Sequence, residues 1–79
     1  MARVLLFGRL ADQAGWRDRS VDASSLAALR AVLATDDPDL AEALSGPGVQ
    51  VAVDKTIVRG EAVLAAATEV AFLPPMSGG

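Results

Sequence analysis

The stretch Ser24 to Ala34, SSLAALRAVLA, places Leu26, Leu29, Val32 and Leu33 at helical spacing, giving an apolar stripe on a helix of about three turns. Around it lie short apolar runs with the length and alternation of strands. A lone helix with four large apolar residues on one face needs a sheet to lie on, so the class is α+β with the helix across one face.

The strands follow from the runs. RVLLF, Arg3 to Phe7, is apolar and bounded by Gly8, which reads as a strand. Arg9 to Gly15 is mixed and is expected to turn, with a short helical turn over LADQA. Arg17 to Val21 alternates weakly and suits an edge strand, where its charges face water. Ser24 is the expected cap of the main helix, which runs from about Ser25 to Ala34. Asp37 before Pro38 marks a second helix start, and that short helix closes at Gly46. VQVAVD, Val49 to Asp54, sets Val49, Val51 and Val53 on one face of a strand. Lys55 and Thr56 are expected to turn, with Ile57 and Val58 as a short return strand. EVAFL, Glu69 to Leu73, is the last strand, stopped by Pro74, which cannot donate to a ladder.

Seventy-nine residues make one small domain, and a chain of this size buries only about 60% of its unfolded surface. Apolar residues are 52% of the chain, beside seven glycines and four prolines, which is the composition of a folded domain. The net charge is -3 with no basic run, so phosphate-backbone binding is disfavoured and a basic protein surface is the more natural partner. Nothing approaches a membrane span or a secretory signal, and the cytoplasm is the expected setting. Cysteine, histidine and tyrosine are all absent. That removes thiolate nucleophiles, disulfides, cysteine-bound zinc and the usual general bases near neutral pH. Ten carboxylates, Lys55 and hydroxyls remain.

One feature exceeds the needs of a half-buried sheet, where alternate residues should be polar. If Val4, Leu6, Val51, Val53, Val70 and Phe72 face the helix, then Leu5, Phe7, Ile57, Ala71 and Leu73 point the other way. They form an apolar patch of the kind that marks an interaction site. A one-residue change of register in any strand would instead move them inside.

The end of the chain, LPPMSGG, sets a domain over residues 1–73 apart from an extended tail over 74–79. Six extended residues reach roughly 20 Å, enough to enter a partner's pocket while the domain docks outside. Pro74 and Pro75 stiffen the exit and lower the entropy lost on insertion. Gly78 and Gly79 have no Cβ, so they pass a narrow channel. The functional group at the tip is the carboxylate of Gly79, an anion at neutral pH and unreactive until an ATP-using partner makes it an acyl-adenylate. Two terminal glycines alone fit a frayed end equally well.

Other clusters have plainer readings. Asp36, Asp37, Asp39 and Glu42 are accounted for by helix capping, and no metal site is expected. Arg17, Asp18 and Arg19 read as a solvated edge, and Trp16 as a cover for one edge of the core. Lys55 and Arg59 either ring the apolar patch or solvate a turn.

RVLLFGRLADQAG, the capped SSLAALRAVLA helix, VAVDKTIV and the ending EVAFLPPMSGG together resemble the small subunits of molybdopterin synthase over essentially the whole chain. The resemblance implies a β-grasp, ubiquitin-like fold with a mixed sheet of four to five strands and one main helix. It implies that Gly79 is adenylated by an activating enzyme related to ubiquitin activators and converted, through a sulfur donor protein, to a thiocarboxylate. That tail would enter the large synthase subunit and give sulfur to cyclic pyranopterin monophosphate. Phe7, Ile57 and Leu73 would press against the partners, with Pro74, Pro75, Met76 and Ser77 lining the way to the reactive end. The catalytic side chains would belong to the large subunit, in a heterotetramer. No cofactor would be bound by this chain itself. The sequence departs from the family at Ala66, Ala67 and Thr68, where a Gly-Asp turn is common, and at Asp54, where asparagine is common. A sulfur carrier for thiazole synthesis, a ubiquitin-like protein modifier and a plain adaptor are the alternatives.

Overall fold

The computed structural model describes residues 1–75, so the expectations for Met76, Ser77, Gly78 and Gly79 lie outside the described residues. In chain order the elements are β1 (Ala2–Leu6), α1 (Gly8–Ala14), β2 (Asp18–Val21), α2 (Leu26–Asp36), α3 (Pro38–Leu44), β3 (Gln50–Val53), β4 (Thr56–Val58) and β5 (Glu69–Leu73). The five strands form one mixed sheet in the order β2-β1-β5-β3-β4, with β1 and β5 parallel and every other pair antiparallel. This is the β-grasp arrangement, with the longest helix, α2, over one face.

The buried residues follow the alternation of the strands. Val4 and Leu6 of β1, Val51 of β3, and Val70 and Phe72 of β5 are all buried, together with Leu26, Leu29 and Leu33 of α2 and Leu40 and Leu44 of α3. Val32 and Val53 are half-buried against this core, as is Trp16, whose ring also lies under the Arg19 guanidinium. The edge strand β2 carries two exposed ion pairs, Arg3 with Asp18 and Arg19 with Asp36.

Several local expectations are corrected. The cap of α2 is Ser25 rather than Ser24: the Ser25 hydroxyl accepts the Ala28 N–H at 3.1 Å, and the helix runs two residues beyond Ala34. Asp37 both ends α2 and caps α3, its carboxylate accepting from Leu40 N, with Pro38 in the first turn as the sequence implies. Residues Gly8 to Ala14 are a full helix, because Leu10 and Ala11 reach the core from one side of it. The β3–β4 turn is Asp54–Lys55, both with positive φ (47° and 69°), which leaves Thr56 inside β4. Two successive left-handed residues match the twist of a tight hairpin. Here non-glycine residues adopt that conformation.

The turn before β5 also has a definite geometry. Ala67 takes φ 66° and donates its N–H to Met1 O, while the Thr68 hydroxyl accepts from Ala65 N at 2.9 Å. Asp54 performs its local task with a carboxylate: Oδ1 accepts the Glu69 N–H at 2.9 Å, and the Asp54 N–H donates to Glu69 O. These contacts fix where β5 begins, and therefore which of its residues face the helix.

Candidate docking face and tail exit

β5 is the central strand, paired with β1 on one side and β3 on the other. Its register aligns one row of side chains across the face away from α2: Leu5, Ala71, Ala52 and Ile57 are successive Cα partners. Leu6 is paired with Phe72, so one more step in that register sets Phe7, whose backbone is still extended (φ -123°, ψ 153°), beside Leu73. The side chains expected on this face therefore share it. Phe7 and Ile57 remain 42% and 44% exposed, and Leu5, Ala71 and Leu73 are half-buried. The sequence reading missed Ala52, a small residue that the row closes over until it is buried.

Charges sit at the margins of the row. At the β2 end the Arg3 guanidinium donates to the Asp18 carboxylate, and this hydrogen bond holds Asp18 below its ordinary value and raises Arg3. At the β4 end Lys55 and Arg59 flank Ile57, both exposed. An apolar centre with a charged rim is the usual anatomy of a protein–protein contact.

Leaving Leu73, the chain passes between two glycines that lie far from it in sequence. Gly8 has φ 57°, and a Cβ built on it would meet Pro74 Cγ at 3.1 Å; Gly48 has φ 84°, and its Cβ would stand 2.6 Å from Pro75 Cβ. At Gly48 a left-handed backbone strains any side chain, and the space that the side chain needs is already filled by the proline. Both prolines are half-buried as a result. Residue types alone could not reveal this clamp, because Gly8 and Gly48 lie far from the prolines in sequence and meet them only in the fold.

Beside Gly48 a groove of about 610 Å³ opens between α2 and the β3–β4 edge, with Arg30 and Arg59 in its wall. Its acid, Glu61, is already engaged: the carboxylate accepts from Ala62 N at 2.8 Å and Ala27 N at 3.1 Å, and these bonds lower its pKa. Among the described residues no group of acidic or metal-ligating side chains could hold a metal ion. Asp36 pairs with Arg19 and Asp37 caps α3, so each has a structural task. No helix among the described residues is long and apolar enough to cross a membrane. The described surface thus offers a face to bind with and a held exit, with no assembled set of nucleophile and base.

Residues 4–79 match the model of the ThiS family, so the match covers nearly the whole chain and runs through both terminal glycines. The chain belongs to the ThiS family. Its members are ubiquitin-like sulfur carriers, which agrees with the sheet order. Among solved structures, this ThiS-family chain is similar to SAMP1 from Haloferax volcanii, at 26% identity and TM-score 0.85, with 99% of this chain and 98% of that one covered. The small archaeal modifier protein 1 from Methanosarcina acetivorans is 21% identical with TM-score 0.86, over 99% and 95% of the two chains. CysO of Mycobacterium tuberculosis is 22% identical with TM-score 0.79, over 96% and 100%. The last two likenesses speak for the fold alone. A comparison with curated proteins gives no match.

Proposed function

We propose that this ThiS-family chain is the sulfur-carrier subunit of molybdopterin synthase, with the Gly79 carboxyl as its reactive group. The observation that carries the reading is the family match continuing to residue 79 while the sheet ends at Leu73. The double proline, Pro74 and Pro75, favours molybdopterin over thiazole synthesis.

In the proposed cycle a Gly79 carboxylate oxygen attacks the α-phosphorus of ATP on an activating enzyme, and pyrophosphate leaves. A sulfur nucleophile at the oxidation level of sulfide, delivered from a donor protein, then attacks the carbonyl and displaces AMP, leaving a thiocarboxylate. The large synthase subunit receives the tail, the sulfur bonds to cyclic pyranopterin monophosphate, and water adds to the Gly79 carbonyl as its C–S bond breaks, which restores the carboxylate. This chain's own residues bind and present: Phe7, Ile57 and Leu73 form the docking face, Pro74 and Pro75 the stiff base, and Met76, Ser77, Gly78 and Gly79 the inserted tail. ATP belongs to the activating enzyme, and the setting is the cytoplasm.

Intact mass of the protein taken from cells with a working sulfur relay tests the reading, with one oxygen exchanged for sulfur at Gly79 as the expected result. Appending one residue after Gly79 should abolish support of cofactor synthesis without changing the fold. Continued support by the extended protein sinks the mechanism.

A second reading is favoured by the likeness to SAMP1 from Haloferax volcanii, a protein whose Methanosarcina counterpart is described as a modifier. In that case the activated Gly79 carbonyl is attacked by a lysine amine of another protein, an amide forms and AMP leaves. High-molecular-weight conjugates that vanish on deleting Gly79 support this reading; their absence in cells that thiocarboxylate the chain rejects it.

A further inference from the structure

We infer that Gly48, and to a lesser degree Gly8, are positioning residues for acyl transfer: by seating the two prolines they set the direction in which residues 76–79 leave the body. The inference rests on the reading of Gly79 as the reactive group.

A comparison within the chain separates this role from simple turn geometry. Gly15 has φ 85°, almost the value at Gly48, and a Cβ built there would meet nothing within 4 Å. Backbone conformation alone accounts for glycine at position 15. At position 48 the same conformation comes with a second demand, because Pro75 Cβ occupies the place of the missing side chain at 2.6 Å. Gly8 shows a weaker version, with the far edge of the Pro74 ring at 3.1 Å. Proline fixes its own φ near -65°. Once both rings are seated, ψ of Pro75 is the one soft backbone angle left before Met76. A reaction that needs the terminal carbonyl at a partner's ATP then starts from the exit point and direction that this contact sets for the chain after Pro75. Misplacement by about 1 Å can cost a rate of order 100-fold.

The matched glycines supply the test. In the full chain with its activating enzyme, ATP–pyrophosphate exchange is measured for the native protein, Gly48→Ala and Gly15→Ala. Both variants bear the same left-handed strain and only one disturbs Pro75. Gly48→Ala should lower kcat by ~100-fold with KM for the carrier nearly unchanged, since the docking face is intact. Gly15→Ala should leave both constants near native. Equal losses in the two variants, or a change confined to KM, overturn the inference.

Because the chain has no cysteine, Ala34→Cys and Met76→Cys carry a unique pair of nitroxide labels for a distance measurement needing no enzyme. The distance distribution should move in Gly48→Ala and stay in Gly15→Ala; an unmoved distribution in Gly48→Ala overturns the proposal. If Gly48→Ala fails to fold, Pro75→Gly removes the seated Cβ without left-handed strain. It should broaden the distribution and lower kcat while thermal stability holds, and a native distribution in that variant also overturns the proposal. Should the native chain show no exchange at all while the label distances move as stated, the function reading fails and the positioning role stands.

Discussion

On one face of the sheet Val4, Leu6, Val51, Val70 and Phe72 lie beneath α2 and its neighbours, and Phe72 is fully buried with the Arg30 guanidinium 5.3 Å from its ring centroid. On the other face Leu5, Ala71, Leu73, Ile57 and Phe7 have no second layer among the described residues. The same strands supply both sets through strict alternation, and both sets are apolar. What separates them is cover. The chain supplies helices for one side and, in the proposed function, leaves the other for a partner to cover.

The harshest way to break this contrast is to cut a side chain from the covered face. Phe72→Ala should cost about 3–5 kcal/mol in denaturant unfolding. A domain of this length has roughly 4–12 kcal/mol in total, so the variant should lose at least about a quarter of its stability and, at the lower end of that range, unfold. A loss below about 1 kcal/mol would show that the covered face is not the core.

Charging the bare face should do the opposite. Phe7→Asp and Ile57→Asp should each weaken binding to the large subunit or the activating enzyme at least ~10-fold in titration calorimetry, the effect of about 1.4 kcal/mol. Folding stability should stay within about 1 kcal/mol of native. Collapse of either variant would move that residue into the core and erase the distinction between the faces.

Much of this contrast is legible in the sequence because a period of two leaves little freedom: once Val4 and Leu6 face inward, Leu5 and Phe7 must face outward. Local signals failed where two neighbours offer the same chemistry, as with Ser24 and Ser25 at the start of α2. They failed also where tertiary contacts impose an unfavoured backbone, as at Asp54, Lys55 and Ala67. The seating of Pro74 and Pro75 on Gly8 and Gly48 was beyond sequence reading, since each contact joins residues that only the folded sheet brings together.

Strain in the turn that starts β5 gives a finer probe, because it bears on the register without touching either face. Ala67 pays the left-handed penalty of an L-residue at φ 66°. Ala67→Gly relieves it at a smaller cost in unfolded-state entropy, so the variant should gain about 0.5–1 kcal/mol in denaturant unfolding. Partner affinity should be unchanged. A loss of stability would mean that the Ala67 methyl packs against something the fold needs, and a change in affinity would mean that the turn adjusts the bare face.

The smallest effect concerns how the cover is fastened. Glu61 accepts from Ala62 N and Ala27 N, and so ties the segment after β4 to the first turn of α2. Those bonds, Ala62 first, favour the carboxylate and lower its pKa from an ordinary value of 4.5. A depressed folded-state pKa contributes stability that is fully present above the unfolded value and is lost as pH falls through the folded one. The native protein should therefore lose urea resistance below about pH 4.5. Glu61→Gln keeps an acceptor oxygen but cannot titrate, so it should start slightly less stable at neutral pH and show a shallower decline in acid. Asp18, lowered by its hydrogen bond from Arg3, titrates in both proteins and leaves a shared residual slope. The difference between the two curves therefore isolates Glu61. Parallel curves from pH 7 to pH 3 would show that this fastening contributes nothing to the cover, leaving the start of α2 to Ser25 and the packing of Leu26 and Leu29.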